Sequence, residues 1–133
     1  MTHMTTNTIP EKYMAWLKGR AFAHLATLMP DGSPQVTPVW VDSDGVYILV
    51  NTARGRQKDI NMQRDGRVAL SIQDPDNPYE YMQVRGLVEL STENGARQHI
   101  DELSVRYTGH AYQGSPDQVR VIYFIRPMYP IDE

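Results

Sequence analysis

Residues 46–73 constrain the fold of this chain most, because two segments with strand periodicity flank a short helical segment. In 46–51 (V-Y-I-L-V-N) and 67–73 (R-V-A-L-S-I-Q), apolar side chains recur at every second position, which is typical of strands with one buried face. Residues 57–64 predict a helix that ends at Asp65-Gly66, a pair suited to a tight turn into a strand. We therefore expect a strand, a short helix and a strand in succession.

Three basic residues, Arg54, Arg56 and Lys58, lie where the first of these strands passes into the helix. The first turn of a helix has unpaired backbone N–H groups and the positive end of the helix dipole, so it favours an anion. Cations placed there cost roughly a few tenths of a kcal/mol unless a negative group is near. Solvated surface charge is the alternative that spacing alone leaves open. We favour a phosphate-binding position.

The chain has 133 residues, and we expect a single domain over 1–133 with a flexible N-terminus at 1–8. It contains no cysteine, which excludes disulfides and thiolate metal sites and agrees with a cytoplasmic location. Its four histidines show no metal-ligand spacing, so we expect no metal. A net charge of −3 disfavours nucleic acid and anionic membranes as partners. No apolar run approaches the ~18 residues of a membrane span.

The remaining segments predict a mainly β fold with flanking helices. A first helix follows Thr8, its predicted N-cap, and ends near Lys18, and another follows Thr92 and ends near Tyr107. The predicted strands cover 21–28, 35–42, 46–51, 67–73, 79–90 and 119–126. Short turns join the first three strands, so we expect a six-stranded, mostly antiparallel sheet that closes as a small barrel.

Two prolines mark the second predicted strand as unusual. Pro34 and Pro38 have no N–H to donate to a neighbouring strand, so 35–42 is expected at an edge of the sheet or at a bulge. A partner or a planar ligand could then use the backbone of Thr37 to Trp40, although a protected edge that discourages aggregation explains the prolines equally well.

Four sequence segments together resemble the pyridoxamine-phosphate-oxidase-like split β-barrel family. They are A-H-L-A-T-L-M-P-D-G-S-P-Q-V-T-P-V-W (23–40), N-T-A-R-G-R-Q-K-D-I-N-M-Q-R-D-G-R-V-A-L (51–70), Y-M-Q-V-R-G (81–86) and the closing V-I-Y-F-I-R-P. Within that family the chain looks most like the actinobacterial reductases that use coenzyme F420, a deazaflavin with a phosphate and an oligoglutamate tail. The resemblance covers nearly the whole chain and implies a split β-barrel of the FMN-binding type.

The resemblance also implies a set of binding residues. The family's phosphate motif falls on Arg56 and Lys58, with Thr52 and Asn61 beside it, and Arg54 would serve the acidic tail. The ring platform falls on Thr37, Pro38, Val39 and Trp40. Members of the fold usually form homodimers with the cofactor at the subunit interface, and the second subunit's contribution would come from Tyr79, Tyr81, Gln83 and Tyr129.

The chemistry that the resemblance implies belongs mainly to the cofactor. Reduced deazaflavin would give a hydride to a small-molecule substrate, an activated alkene or a quinone. His110, Tyr79 and Tyr129 are weak candidates for a proton donor, and solvent is an equal alternative.

Three other functions stay open at this point. The first is an FMN-dependent oxidoreductase of the same family, and the second is a non-catalytic carrier of F420, flavin or haem. The third is a small barrel that binds single-stranded nucleic acid, which the acidic net charge disfavours.

Overall fold

The computed structural model describes residues 8–129 and residue 131. Of the predicted flexible N-terminus, residues 1–7 lie outside this described part of the chain. Three helices and seven strands follow one another in the order α1 (Glu11–Leu17), β1 (Ala23–Leu28), β2 (Pro34–Val39), β3 (Asp42–Ser43), β4 (Ile48–Ala53), α2 (Gln57–Arg64), β5 (Arg67–Asp74), β6 (Asn77–Thr92), α3 (Ala96–Thr108) and β7 (Arg120–Pro127). None of the three helices has the length and apolar character needed to span a membrane.

All seven strands belong to one sheet in the order β2-β1-β5-β6-β7-β4-β3, and every neighbouring pair is antiparallel. The terminal strands of this sheet, β2 and β3, follow each other in sequence and are separated only by Trp40 and Val41, which we call the β2–β3 link. The three residue steps from Val39 to Asp42 span at most about 11 Å, so these ends of the two edge strands must lie close together. The sheet therefore curls into a split β-barrel, which confirms the predicted fold class.

The predicted count of six strands is wrong, because the segment 35–42 does not form one strand. It splits at the β2–β3 link: β2 pairs with β1, whereas β3 pairs with β4 through Asp42 opposite Leu49 and Ser43 opposite Ile48. Two residues are too few to show a period of two, so sequence reasoning missed β3. Of the two positions that the prolines predicted for β2, an edge or a bulge, the strand occupies an edge of the sheet.

Two predicted helix starts are also wrong. Pro10, not Thr8, occupies the N-cap of α1, where no side chain caps the helix. Gly95, in the left-handed conformation, occupies the N-cap of α3. Thr92 is instead the last residue of β6, and its hydroxyl accepts a hydrogen bond from the Asn94 backbone. The predicted helix at 57–64 is confirmed as α2.

The core fills the inside of the curled sheet. The largest fully buried side chains include Leu17 of α1, Leu25 of β1, Ile72 of β5, Met82 of β6 and Tyr123 of β7. A smaller cluster of Leu49, Ala96 and Ile122 lies where α3 packs against β4 and β7. Strands β4 and β7 are therefore buried on both faces, which explains their nearly continuous apolar sequences.

Candidate functional site

A cavity of about 230 Å³ opens beside the β2–β3 link. Strands β2, β4 and β7, the first turn of α2, and α3 contribute to its walls. The lining residues are Phe22, Pro38, Val39, Trp40, Asn51, Thr52, Arg56, Lys58, Ile100, Tyr112 and Arg120. Six of the predicted binding residues therefore meet here: Pro38, Val39, Trp40, Thr52, Arg56 and Lys58.

One wall of the cavity is aromatic and is held in a fixed orientation. The Trp40 ring stacks on Tyr107 at a centroid distance of 5.2 Å and a plane angle of 14°, and Tyr112 meets it edge-on at 6.5 Å. The Tyr107 hydroxyl donates to the Ala21 carbonyl at 2.6 Å and accepts from the Val41 backbone N–H at 3.1 Å. Flat, anchored rings next to apolar Val39 suit a planar ligand.

The same cavity also has a positively charged part of its lining. Arg56 and Lys58 come from the N-cap and first turn of α2, and Arg120 comes from the start of β7. We call these three residues the cationic cluster. Within the described part of the chain, none of the three forms an ion pair with a carboxylate. Such a cluster is costly when empty and is neutralised by a bound anion.

The electrostatics of the cluster agree with this reading. Burial lowers the pKa of Lys58, and the nearby charges of Arg56 and Arg120 lower it further. Burial is also the main cause that lowers the pKa of Arg120, which is only 5% exposed. An anion placed among these side chains would restore their preference for the charged form.

Sequence reasoning missed Arg120, Asn51 and Tyr112. The Asn51 Oδ1 atom accepts from Arg120 Nε at 3.0 Å, and the Arg120 guanidinium lies over the Tyr112 ring at 4.9 Å. The available signal was an arginine within the otherwise apolar segment V-R-V-I-Y-F-I. Its position at the cavity follows from the pairing of β7 with β4, in which Arg120 lies opposite Ala53.

Thr52 supplies a buried polar group without a partner. The residue is 1% exposed, it lines the cavity, and its hydroxyl makes no hydrogen bond within residues 8–129 and 131. Thr37, which precedes the cavity-lining segment of β2, also has a buried hydroxyl without a described partner. Unpaired buried hydroxyls are rare because each costs about 1 to 3 kcal/mol. Thr52 thus brings a buried hydroxyl without a described partner to the wall of the cavity.

Arg54 is committed to internal partners and does not line the cavity. Its guanidinium donates to Asp59 at 3.0 Å and to Glu93 at 2.9 Å. Asp59 also accepts from the Gly55 backbone N–H at 2.9 Å, so it holds the loop in front of α2. The positive charge that faces the cavity therefore comes from the cationic cluster rather than from Arg54.

Asn61 and Gln83 lie elsewhere. Asn61 is fully buried, and its amide donates to the Thr27 hydroxyl at 3.0 Å on the side of α2 that faces β1. Gln83 lies on the outer face of the sheet, in a shallow groove with His24, Val36 and Arg85.

The three predicted catalytic candidates are also outside the cavity. Tyr79 is 88% exposed, and Tyr129 lies in a groove at the opposite end of β7, where its buried hydroxyl has no described partner. His110 lines a neighbouring hollow that shares Trp40 and Tyr112 with the cavity. Among the described residues, no three His, Asp or Glu side chains cluster in a way that could hold a metal ion.

Comparisons with known proteins agree with this fold. A family profile described as pyridoxamine 5'-phosphate oxidase matches residues 9–129. A solved structure named F420 reductase is 38% identical, with 90% of this chain and 96% of that chain covered and a TM-score of 0.79. A conserved hypothetical protein from Mycobacterium tuberculosis is 24% identical, with 95% and 86% covered and a TM-score of 0.68. General stress protein 26 from Bacillus anthracis is 19% identical, with 88% and 87% covered and a TM-score of 0.67. These last two show the fold alone. The chain belongs to the pyridoxamine 5'-phosphate oxidase family.

Proposed function

We propose that this protein is an F420-dependent oxidoreductase that transfers a hydride from reduced deazaflavin to an activated alkene or a quinone-type acceptor. The observation that carries the proposal is the cationic cluster, which has no described carboxylate partner and lines the same cavity as an aromatic wall. A cofactor with a flat ring and a phosphate matches both the aromatic and the cationic parts of the lining. The likeness to a protein named F420 reductase supports deazaflavin in particular.

Different residues of the cavity would bind the phosphate and the ring of the cofactor. Arg56, Lys58 and Arg120 would hold the phosphate, and the Thr52 hydroxyl would donate to the cofactor. Val39 and Trp40 would pack along the ring, with the outer backbone groups of edge strand β2 available for hydrogen bonds to it. When bound, the deazaflavin supplies the hydride. The protein binds and orients the cofactor and the substrate, and it excludes water.

We also propose that a second subunit completes the site. A volume of about 230 Å³ is below the roughly 300 Å³ at which ligand pockets usually begin, which supports a cavity that a second chain completes. The outer face of the sheet exposes Val36 (62%) and Tyr81 (40%) beside Gln83. We expect a homodimer whose partner closes the cavity, with Tyr79, Tyr81, Gln83 and Tyr129 as candidate contributions. Sedimentation equilibrium tests this, and a monomer at micromolar concentration would contradict it.

The binding site is tested by titrating the protein with oxidised F420 and following cofactor fluorescence. Lys58→Ala removes one partner of the phosphate, and we expect it to weaken binding by about 1.5 to 3 kcal/mol. Arg67→Ala is the matched control, because Arg67 lies outside the cavity and pairs with Asp65 at the surface. Equal affinity of wild type and Lys58→Ala would place the phosphate elsewhere.

The identity of the cofactor and the activity need separate measurements. FMN has the same combination of planar ring and phosphate, so a parallel FMN titration distinguishes an FMN-dependent enzyme. Reduced F420 is then mixed with a panel of quinones and unsaturated lactones. Protein-dependent reoxidation would support the reductase, whereas binding without reoxidation across the panel would indicate a carrier.

A further inference from the structure

A chain of hydrogen bonds runs from Arg120 in the cavity to a buried carboxylate behind it. Arg120 Nε donates to Asn51 Oδ1 at 3.0 Å. Asn51 Nδ2 donates to the Ala96 carbonyl at 2.9 Å and lies 3.1 Å from His99 Nδ1. His99 Nε2 lies 2.9 Å from Asp42 Oδ2. Four side chains from β7, β4, α3 and β3 are thereby joined in series.

The partners in this chain determine where each proton lies. Arg120 Nε can only donate and the Ala96 carbonyl can only accept, so the Asn51 amide has one possible orientation. Its NH₂ group then faces His99 Nδ1, which must accept. His99 is therefore neutral, carries its proton on Nε2 and donates it to Asp42.

Asp42 ends this series of hydrogen bonds and is held in place by further partners. Its other oxygen accepts from Lys18 Nζ at 2.8 Å and from Arg106 Nη2 at 2.7 Å. Burial raises the pKa of Asp42, but hydrogen bonds from His99 and Lys18 and the charge of Arg106 outweigh burial and hold that pKa well below its usual range. The carboxylate thus stays ionised and anchors one side of the imidazole.

The other end of the chain leaves one nitrogen of Arg120 for a ligand. Nη1 donates to the Tyr112 hydroxyl at 3.3 Å and to Gln118 Oε1 at 3.1 Å, and Nε is taken by Asn51. Nη2 has no acceptor within the described residues. With two nitrogens fixed, the planar guanidinium cannot rotate, so the direction of Nη2 is set by groups behind the cavity.

We propose that His99 is a positioning residue: as the Nε2-protonated imidazole, it orients the Asn51 amide and through it directs Arg120 at the bound anion. This inference rests on the proposed anion site, because it assigns a purpose to the orientation of Arg120. A doubly protonated His99 ring would point its Nδ1–H at the Asn51 NH₂ group. Either the hydrogen bond between His99 and Asn51 or, if the Asn51 amide flips, the one between Asn51 and Arg120 would then break. The charged groups that face His99 are Asp42 directly, Lys18 and Arg106 across Asp42, and Arg120 beyond Asn51.

The first test needs no ligand. Long-range ¹H–¹⁵N NMR spectra of the wild-type protein at neutral pH report which His99 nitrogen carries the proton. We expect a protonated Nε2, an unprotonated Nδ1 and an Arg120 Nε–H that exchanges slowly with solvent. A proton on Nδ1, or a doubly protonated ring, would overturn the proposal whatever the cofactor.

The second test is a double-mutant cycle with sulfate as the anion, followed by NMR titration. His99→Leu should weaken sulfate binding about fivefold, equivalent to about 1 kcal/mol. In an Arg120→Lys background, which keeps the charge but removes the Nε donor, the same substitution should weaken it less than about twofold. A merely structural role for His99 would give the same factor in both backgrounds and would refute the inference.

The outcomes separate the two proposals. Sulfate binding that is lost in Lys58→Ala but unchanged in folded His99→Leu would retain the anion site and refute the role of His99. If wild type binds no sulfate, the anion site itself fails. Thermal melting confirms that each variant is folded, and if His99→Leu does not fold, the protonation state of His99 in the wild-type protein decides.

Discussion

Replacing Tyr123 with phenylalanine tests whether a buried hydrogen bond holds the loop that presents Arg56 and Lys58 of the cationic cluster. The Tyr123 side chain is 1% exposed, and its hydroxyl donates to Asp59 Oδ1 at 2.6 Å. The substitution removes the hydroxyl and leaves Asp59 with its bonds from Gly55, Gln63 and Arg54. A hydrogen bond to a charged acceptor contributes about 1.5 to 3 kcal/mol, so we expect the free energy of unfolding to fall by about 2 kcal/mol at neutral pH.

The pH dependence of this loss has a definite sign. Burial raises the pKa of Asp59, but the hydrogen bond from Tyr123 and those from Gly55, Gln63 and Arg54 outweigh it and lower the pKa below its ordinary 3.8. The stability that Asp59 contributes is therefore fully present above that value and is lost as the pH falls through the lower pKa of the folded state. The difference between wild type and Tyr123→Phe should shrink under acidic conditions.

Urea denaturation at several pH values and one protein concentration measures both effects. Tyr47→Phe is a matched control, because its hydroxyl faces the Glu89 carboxylate at the surface, and we expect the unfolding midpoint to be unchanged. An equal free energy of unfolding for wild type and Tyr123→Phe at neutral pH would refute the reasoning. A difference that does not vary with pH would show that the hydroxyl does not stabilise the ionised form of Asp59.

Two further substitutions test the cavity and the sheet. Thr52→Val removes a buried hydroxyl that has no described partner, so it should raise the stability of the ligand-free protein by about 1 kcal/mol while weakening F420 binding. Thermal melting measures the stability and the fluorescence titration measures the affinity. A loss of stability would mean that the hydroxyl has a hydrogen-bond partner. Gly86→Ala should lower the free energy of unfolding by about 1 to 3 kcal/mol in urea denaturation, because the added Cβ would lie 2.6 Å from Ile125 Cγ2 and 3.0 Å from the Arg126 carbonyl oxygen. An unchanged unfolding midpoint would show that β7 can shift without cost.

The cationic cluster shows how far local sequence could predict the site. Arg54, Arg56 and Lys58 are three similar residues in one short segment, and the sequence gives no reason to separate them. The structure separates them because Asp59 and the distant Glu93 both reach Arg54, while Lys58 faces the cavity. Partners that are remote in sequence decide which charge is neutralised.

Asn61 illustrates the same limit in the opposite direction. Its spacing of three from Lys58 suggested a shared ligand, since residues three apart lie on neighbouring positions of a helix. The side of α2 that carries Asn61 packs against β1, so its amide bonds to Thr27 instead. Helical spacing specifies angular position around the axis, but only packing specifies what each side faces.

The sequence by itself determined the elements and the edge of the sheet. Alternating or continuous apolar residues indicated six strand segments, the turn signals indicated α2, and the missing N–H groups of Pro34 and Pro38 indicated an edge or a bulge for β2, which lies at an edge. These features depend on local backbone geometry and on burial with a fixed period, so they can be read from neighbouring residues.

Only the tertiary structure decided which side chains meet. Trp40 is at the cavity because the β2–β3 link crosses from one edge of the curled sheet to the other, and Arg120 is there because β7 pairs with β4. Asn51, His99 and Asp42 are joined by contacts that span 48 and 57 residues of the chain. Hydrogen bonds and charges act over distances in space, and sequence separation does not encode those distances until strand pairing and helix packing have fixed them.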